Sequence, residues 1–245
     1  MEPYRFLLPG LTAHLEKALD SDMERADIPR FHKNAPIVSI SPRAFANMEK
    51  LSLVSFPDGL LRIEEEAFIN CLALPSIIIP SSVKEIKDRA FKGCIHLASI
   101  TLGTANSALG GNRICFCGNL AASRYGNGLS MLGGAPLMCT CGANTFQNAL
   151  TAIGEEAFAG ARVPNIVIPE GVRSLGARCF ADNPSLTKAS LPSTLASIDH
   201  PFDNCPNLKE ATYAGTIASF RKIEGYHSLG LDVRCIDGTL HIQGK

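Results

Sequence analysis

The sequence predicts an α/β solenoid, a right-handed coil of stacked repeats with one short parallel strand per repeat. Three observations lead to this fold. An apolar residue recurs every 21 to 23 residues, a Phe follows it in most copies, and a short alternation of apolar residues comes next. No single copy can bury its own apolar face, so stacked copies must share one continuous core.

Eight copies of the unit can be aligned on the recurring apolar residue. These residues are Ile40, Ile63, Ile86, Leu109, Leu132, Ile153, Leu175 and Ile198. The aromatic position reads Phe45, Phe68, Phe91, Ile114, Leu137, Phe158, Phe180 and Phe202. Copies four and five lack the Ala-Phe pair but keep the register, so the sequence predicts eight repeats of about 23 residues over 35–214.

Each copy divides into a strand and a tight turn. In "IIIP" (77–80) and "IVIP" (166–169) apolar side chains alternate, which predicts a short strand with one buried face. The Pro that follows has no backbone donor and ends the hydrogen-bonded ladder. The Ala-Phe stretch is too short for a stable isolated helix, so we expect a turn or a single helical turn there.

The repeat resembles the BspA-type leucine-rich repeat, also called the Treponema pallidum type. The segments "LPSIIIPSSVKEIKDRAFKGCIHL" (74–97) and "VPNIVIPEGVRSLGARCF" (163–180) carry the resemblance, which covers 35–214. It implies a non-enzymatic protein of bacterial or protozoal cell surfaces that adheres to a host or matrix protein. Secretion or surface display is therefore expected from the resemblance alone.

Both ends of the solenoid need caps, because a terminal coil exposes core. Residues 1–34 are predicted as a helical N-terminal cap: Leu11, Leu15, Leu19 and Met23 have helical spacing over 11–28, with Thr12 as the N-cap. Residues 215–245 are predicted as a helix-plus-hairpin cap. There "ATYAGTIASFRKI" (211–223) resembles the family's helical segment, and "DVRCIDGTLHI" (232–242) reads as a hairpin that turns at Asp237-Gly238.

Composition limits the partners. Lys+Arg and Asp+Glu both total 23, so no net field attracts nucleic acid or an anionic membrane. No run approaches the roughly 18 apolar residues that a membrane span requires. The segment "MEPYRFLLPG" is a poor secretory signal, which predicts a cytoplasmic protein if the chain is complete.

Nine cysteines cannot all pair within one chain, which favours buried thiols that fill space. Cys71, Cys94, Cys117 and Cys205 share one repeat position, three residues after the aromatic residue, where other copies have Met48, Ala161 and Asn183. "CFC" (115–117) and "CTC" (139–141) lie 24 residues apart. For Cys115, Cys117, Cys139 and Cys141 packing, a disulfide between coils and a zinc site all stay open.

Other candidate chemistry is sparse. The six histidines form no metal-binding pair, and "LGG" at 109 and 132 lacks the Lys-Ser/Thr of a phosphate loop. Glu64–Glu66 and Glu155–Glu156 could serve as acid and base, but they occupy solvated turn positions of the repeat. We find no nucleophile with a recognisable base, and so predict no enzyme activity and no cofactor.

The remaining candidate surface is the exposed side of the strands. Between two inward apolar positions, one residue per strand points outward. This row comprises Ser55, Ile78, Thr101, Arg124, Thr145, Val167, Ser190 and Thr212. It reads either as plain strand propensity or as a shallow surface for a protein partner. A second hypothesis is a cytoplasmic assembly subunit that contacts another chain through its caps or through copies four and five.

Overall fold

A computed structural model of the protein describes residues 3–103 and 150–242. It forms a solenoid of stacked parallel-strand coils, as the repeat predicts. Each coil runs from a strand on one side, through a two-residue strand on another, to the Ala-Phe turn. Among the described residues, no helix is long and apolar enough to cross a membrane.

The strands are numbered along the chain. The N-terminal region contains β1 (Tyr4–Leu7), β2 (Ala13–Ala18), β3 (Arg25–Asp27), β4 (Phe31–His32) and β5 (Ala35–Ile40). The coils contain β6 (Leu53–Ser55), β7 (Arg62–Ile63), β8 (Ser76–Ile79), β9 (Glu85–Ile86), β10 (Ser99–Leu102), β11 (Ala152–Ile153), β12 (Asn165–Val167), β13 (Ser174–Leu175), β14 (Lys188–Leu191), β15 (Ser197–Ile198) and β16 (Glu210–Tyr213). The chain then forms helix α1 (Ile217–Phe220), a 3₁₀ turn (Tyr226–Leu229), β17 (Asp232–Cys235) and β18 (Gly238–Leu240).

The longest sheet, here called the ladder sheet, has nine strands. Its order is β1-β2-β5-β7-β9-β11-β13-β15, with β4 paired to β5. The pairing is parallel from β2 onward. The recurring apolar residue of each coil faces the core and is at most 3% exposed, in the series Ile40, Ile63, Ile86, Ile153, Leu175 and Ile198.

The ladder sheet brings the third coil beside the coil that contains Ile153. Strand β9 pairs with β7 on one side and with β11 on the other, so Ile86 lies beside Ile153. The predicted copies four and five, with Leu109 and Leu132, fall in 104–149, outside the described residues. These 46 residues equal two repeat lengths, so counting intervals alone places apolar residues near the expected positions.

A column of parallel phenylalanine rings runs through the core beside the ladder sheet. Ring centroids are 4.7 Å apart between Phe45 and Phe68, and 5.1 to 6.0 Å apart along the rest of the column. Phe91 stacks on Phe158 at 5.2 Å with an interplanar angle of 2°. The column therefore also passes from the third coil directly to the coil that contains Ile153.

At the Ala-Phe pair, the backbones of successive coils are hydrogen-bonded to each other. The amide of Phe45 donates to the carbonyl of Ala67 at 2.8 Å, and Phe68 and Phe91 repeat the bond to the next Ala. Two residues before each Phe the backbone is left-handed, with φ of 58° at Arg43 and 55° at Glu66. This tight turn brings successive coils close together, and Ala is small enough to fit between them.

The N-terminal cap is not the helix that the spacing predicts. Residues 4–7 and 13–18 are strands β1 and β2, while Leu11 is 93% and Leu19 is 54% exposed. Thr12 precedes β2 and caps no helix. The free edge of β5 explains the error: its unpaired backbone groups bond to β2, and β2 in turn pairs with β1. The alternation of buried Ala13 and Leu15 fits this strand.

The C-terminal cap consists of one short helix and a hairpin. Helix α1 is a single turn capped by Thr216, whose side chain accepts from the amide of Ser219. Strands β17 and β18 pair antiparallel, with Cys235 opposite Gly238. The turn is therefore at 236–237, one residue before the predicted Asp237-Gly238 turn, and Gly238 begins β18.

The strands on the other side of the solenoid form three separate sheets. These pair β3 with β6, β8 with β10, and β12-β14-β16-β17-β18 in that order. Coil order places their parallel strands in one row of eight, after which the antiparallel β18 pairs with β17; the eight are β3, β6, β8, β10, β12, β14, β16 and β17. We call the exposed side of this row the outward face.

Candidate binding face

The structure brings the described members of the predicted row together on the outward face. Ile78 lies opposite Thr101, and Ser190 lies opposite both Val167 and Thr212. The Thr212 hydroxyl is 3.0 Å from that of Ser190, a cross-strand contact between coils. Arg124 and Thr145, also predicted for this row, lie outside the described residues.

Apolar side chains are exposed at the centre of the outward face. Ile78 is 69% and Val167 is 57% exposed, although each lies between two buried neighbours on its own strand. Thr101, on the strand between them, is half-buried. Two exposed β-branched aliphatic residues therefore flank one hydroxyl across three neighbouring strands.

Sequence reasoning missed a second outward column. Each strand has another outward position two residues earlier, exposed in six strands and half-buried at Glu210 and Asp232, because side chains of one face recur at every second residue. The column comprises Arg25, Leu53, Ser76, Ser99, Asn165, Lys188, Glu210 and Asp232. The same alternation that gave the first row would have found it, since each member precedes a predicted inward residue.

The two ends of the outward face are charged, and its centre is not. In β3 the Arg25 guanidinium donates to Asp27 at 2.6 and 3.0 Å, which lowers the pKa of that carboxyl. In β17 Arg234 pairs with Glu210 at 2.8 Å. Over β6, β8, β10 and β12 both columns hold only uncharged residues. The centre therefore offers no charge to recruit an ionic ligand.

The repeated cysteine position has a structural role. Cys71 is fully buried, and its thiol donates to the carbonyl of Phe45 in the preceding coil at 3.2 Å. Cys94 and Cys205 make the same contact with Phe68 and Phe180 at 3.3 Å. Burial raises the pKa of the Cys71 thiol to about 12, so the reactive thiolate is strongly disfavoured.

Asn183 shows what the cysteine position requires. It replaces Cys at this position, is fully buried, and its side-chain amide donates to the carbonyl of Val163 at 3.2 Å. The position thus favours a small group that donates to the preceding coil. Cys115, Cys117, Cys139 and Cys141 lie outside the described residues.

The acidic turns form an alternating column of charge rather than an acid–base pair. The left-handed position two residues before the Phe reads Arg43, Glu66, Arg89, Glu156 and Arg178 along the stack. Glu66 pairs with Arg43 and, at 3.3 Å, with Arg89. Glu156 pairs with Lys92 at 2.5 Å and lies 3.9 Å from Arg178. These carboxylates neutralise cations of neighbouring coils, each contact contributing about 0.2–1 kcal/mol.

The described histidines lie apart from one another. Nδ1 of His14 is 2.5 Å from the hydroxyl of the buried Ser39, while His200 and His241 contact the neighbouring carboxylates of Asp199 and Asp232. Over 3–103 and 150–242 no three His, Cys, Asp or Glu side chains come close enough to hold a metal ion. One depression in the described surface lies at the N-terminal cap, against Leu7, Leu8 and His14, and another at the C-terminal cap, against Tyr226 and His241.

Comparison with known families gives one match. The model of the BspA type leucine-rich repeat region matches residues 24–135 and 138–226, in six copies. The matched stretches cover more than half of the chain. No curated protein sequence matched it.

Two solved structures resemble the fold. A leucine-rich repeat protein from Bacteroides ovatus is 27% identical, with a TM-score of 0.60 over 86% of this chain and 46% of its own. The T. pallidum leucine-rich repeat protein is 19% identical, with a TM-score of 0.63 over 91% of this chain and 89% of its own. This chain thus spans less than half the length of the B. ovatus protein.

Proposed function

The chain belongs to the BspA-type leucine-rich repeat family, and from this premise we propose that it is a non-enzymatic protein-binding module whose partner binds the outward face. Repeat families of this kind typically serve as protein-interaction modules. Their solenoids present an extended surface on which residues that the fold does not use are free to vary.

One observation carries the proposal: exposed aliphatic side chains lie in an uncharged strip of the sheet. Ile78 on β8 and Val167 on β12 lie on either side of Thr101 on β10. Leu53, 40% exposed, extends the strip toward the N-terminal end. Clustered exposed apolar groups with a polar rim are typical of protein interfaces.

The proposal extends to adhesion at a cell surface, which the family resemblance supports. A protein partner fits the strip better than an acidic glycan does, because the centre of the outward face has no cation to pair with a carboxylate or sulfate. The charged groups of β3, β16 and β17 would then form the rim of the interface.

The caps support a second candidate, an assembly subunit that contacts another chain at its end. Leu7, Leu8 and Leu11 are exposed at the N-terminal cap, by 49%, 41% and 93%. Ile236 in the C-terminal turn is 72% exposed. This alternative places the contact on the caps and leaves Ile78 and Val167 without a role.

The test is capture of a partner by the immobilised protein, followed by its identification and an affinity measurement. Ile78→Glu with Val167→Glu should lower that affinity by at least tenfold. Thr151→Glu with Ala196→Glu, two exposed positions on the ladder-sheet side, is the matched control and should leave it unchanged. An affinity that survives the first pair but is lost in Leu8→Glu with Leu11→Glu would favour the cap instead.

A further inference from the structure

We propose that the outward face binds a second copy of this chain through a twofold-symmetric contact. This inference rests on the proposed function, because it names an occupant for the same surface. It is carried by the order of charges in β3, the first strand of the face, and in β17, its last parallel strand, which the antiparallel β18 follows.

Strands β3 and β17 carry the same charges in opposite order. On β3 the outward residues are Arg25 and then Asp27; on β17 they are Asp232 and then Arg234. The register places Arg25 and Asp232 in one column and Asp27 and Arg234 in the other. Reading along the solenoid, each column thus begins with one charge and ends with the opposite charge.

A twofold axis parallel to the strands uses this arrangement. With such an axis, each column of one copy faces the same column of the other copy. The order of the strands is reversed, so β3 of one copy lies over β17 of the other. Arg25 then faces Asp232, and Asp27 faces Arg234. Both ends of the contact are complementary, and symmetry forms each end contact twice.

The centre of the face is also compatible with itself. The same axis places β10 over β12, so Thr101 faces Val167 and Ser99 faces Asn165. Ile78 lies over Ser190, and no two like charges meet anywhere along either column. The least favourable pair joins Leu53 to Glu210, whose carboxylate keeps its own partner, Arg234, at 2.8 Å.

The expected size of the contact makes it weak. Eight strands at ladder spacing span about 35 Å, and the two breaks lengthen the row somewhat; two outward residues per strand span about 10 Å, giving on the order of 400 Å² per copy. A standard interface buries about 800 Å² per partner. The dimer should therefore form at micromolar to millimolar concentrations and dissociate on dilution.

Sedimentation equilibrium across that concentration range tests the proposal. R25D/D27R and D232R/R234D should each weaken self-association at least tenfold, because each variant places like charges together at both ends. An equimolar mixture of the two variants should associate as the parent does, since every end contact in the mixed dimer is complementary again. The quadruple variant should associate alone for the same reason.

The outcomes separate this inference from the proposed function. A chain that stays monomeric at every concentration, or a dimer that ignores all four charge changes, overturns the second copy as occupant. If partner capture still depends on Ile78 and Val167, the proposed function survives that result. If neither partner capture nor self-association responds to changes on the outward face, both the proposed function and the proposed dimer are wrong. Circular dichroism of each variant checks that these exposed substitutions leave the fold intact.

Discussion

The two sides of the solenoid differ in how continuous they are. The ladder sheet runs unbroken through nine strands, and the phenylalanine column beside it passes from Phe91 to Phe158 without a gap. The outward face is divided into three sheets, with breaks between β6 and β8 and between β10 and β12. The ladder sheet and the phenylalanine column thus hold the coils together, while the outward face allows its strands to separate into shorter sheets.

The sequence changes beside each break. The first coil ends its strand with Phe56, which packs edge-on against Phe68 at 5.6 Å, whereas the second coil has the smaller Ile79 at the same position. The second break follows β10, after which the chain passes out of the described residues until 150. Neither break of the outward face interrupts the ladder sheet.

The largest expected loss of stability is in the phenylalanine column. Phe158 is fully buried between Phe91 and Phe180, at 5.2 and 5.3 Å. Phe158→Ala should lower the free energy of unfolding by about 3–5 kcal/mol through lost contacts and a cavity. Val167→Ala on the outward face is the control, with an expected change within about 0.5 kcal/mol. Urea denaturation measures both, and similar losses would erase the difference between the two sides.

The second effect concerns the close approach of coils at the junction. A Cβ on Gly154 would lie 2.6 Å from the backbone nitrogen of Asp88. Gly154→Ala should therefore cost about 1–3 kcal/mol, because backbone must shift to admit the methyl group. Lys87→Ala, at the equivalent position of the preceding coil, should cost far less. Equal stability of the two variants would mean that the coils are not as close as described.

A third effect depends on pH. The folded-state pKa of Cys71 is raised from 9.0 to about 12, so its stabilisation is complete below pH 9 and is lost as pH rises toward 12. The free energy of unfolding should fall in that window by at most about 1.4 kcal/mol per pH unit for this thiol. Cys71→Ser keeps the donor but removes the titration, so its decline should be shallower. If the free energy of unfolding fell equally steeply with pH in both proteins, burial would not raise the pKa of the Cys71 thiol as described.

The repeat itself could be predicted because it is a physical requirement of every coil. Ala44, Phe45 and Ile40 recur since each coil must present the same shape to the next one. The first outward row was predicted from the strand alternation, and its role as a binding surface stays a prediction. The thiol contacts of Cys71 and Cys94 could not be predicted in detail, because the acceptor is a backbone carbonyl of another coil.

Errors arose where tertiary contacts override the local pattern. The spacing of Leu11, Leu15 and Leu19 favours a helix, but the open edge of β5 offers backbone partners that only a strand can use. Spacing alone could not show that Ile86 lies beside Ile153, because 104–149 amount to two repeat lengths and so preserve the interval. The opposite charges of Asp27 and Arg234 in the same outward column were not predicted, because the sequence placed β3 within a helix over 11–28.

The most direct test of the account removes residues 104–149. Gly103 is joined to Leu150 through two serines. Leu102 and Leu150 are then separated by three residues (Gly103 and the two serines), as Ile79 and Val83 are in the preceding coil. The account predicts one cooperative unfolding transition with a midpoint no lower than that of the parent. It also predicts hydrogen-exchange protection at the amides of Phe91 and Gly154, which bond across the junction at 2.8 Å. Loss of the cooperative transition, or of protection at those two amides, would contradict it.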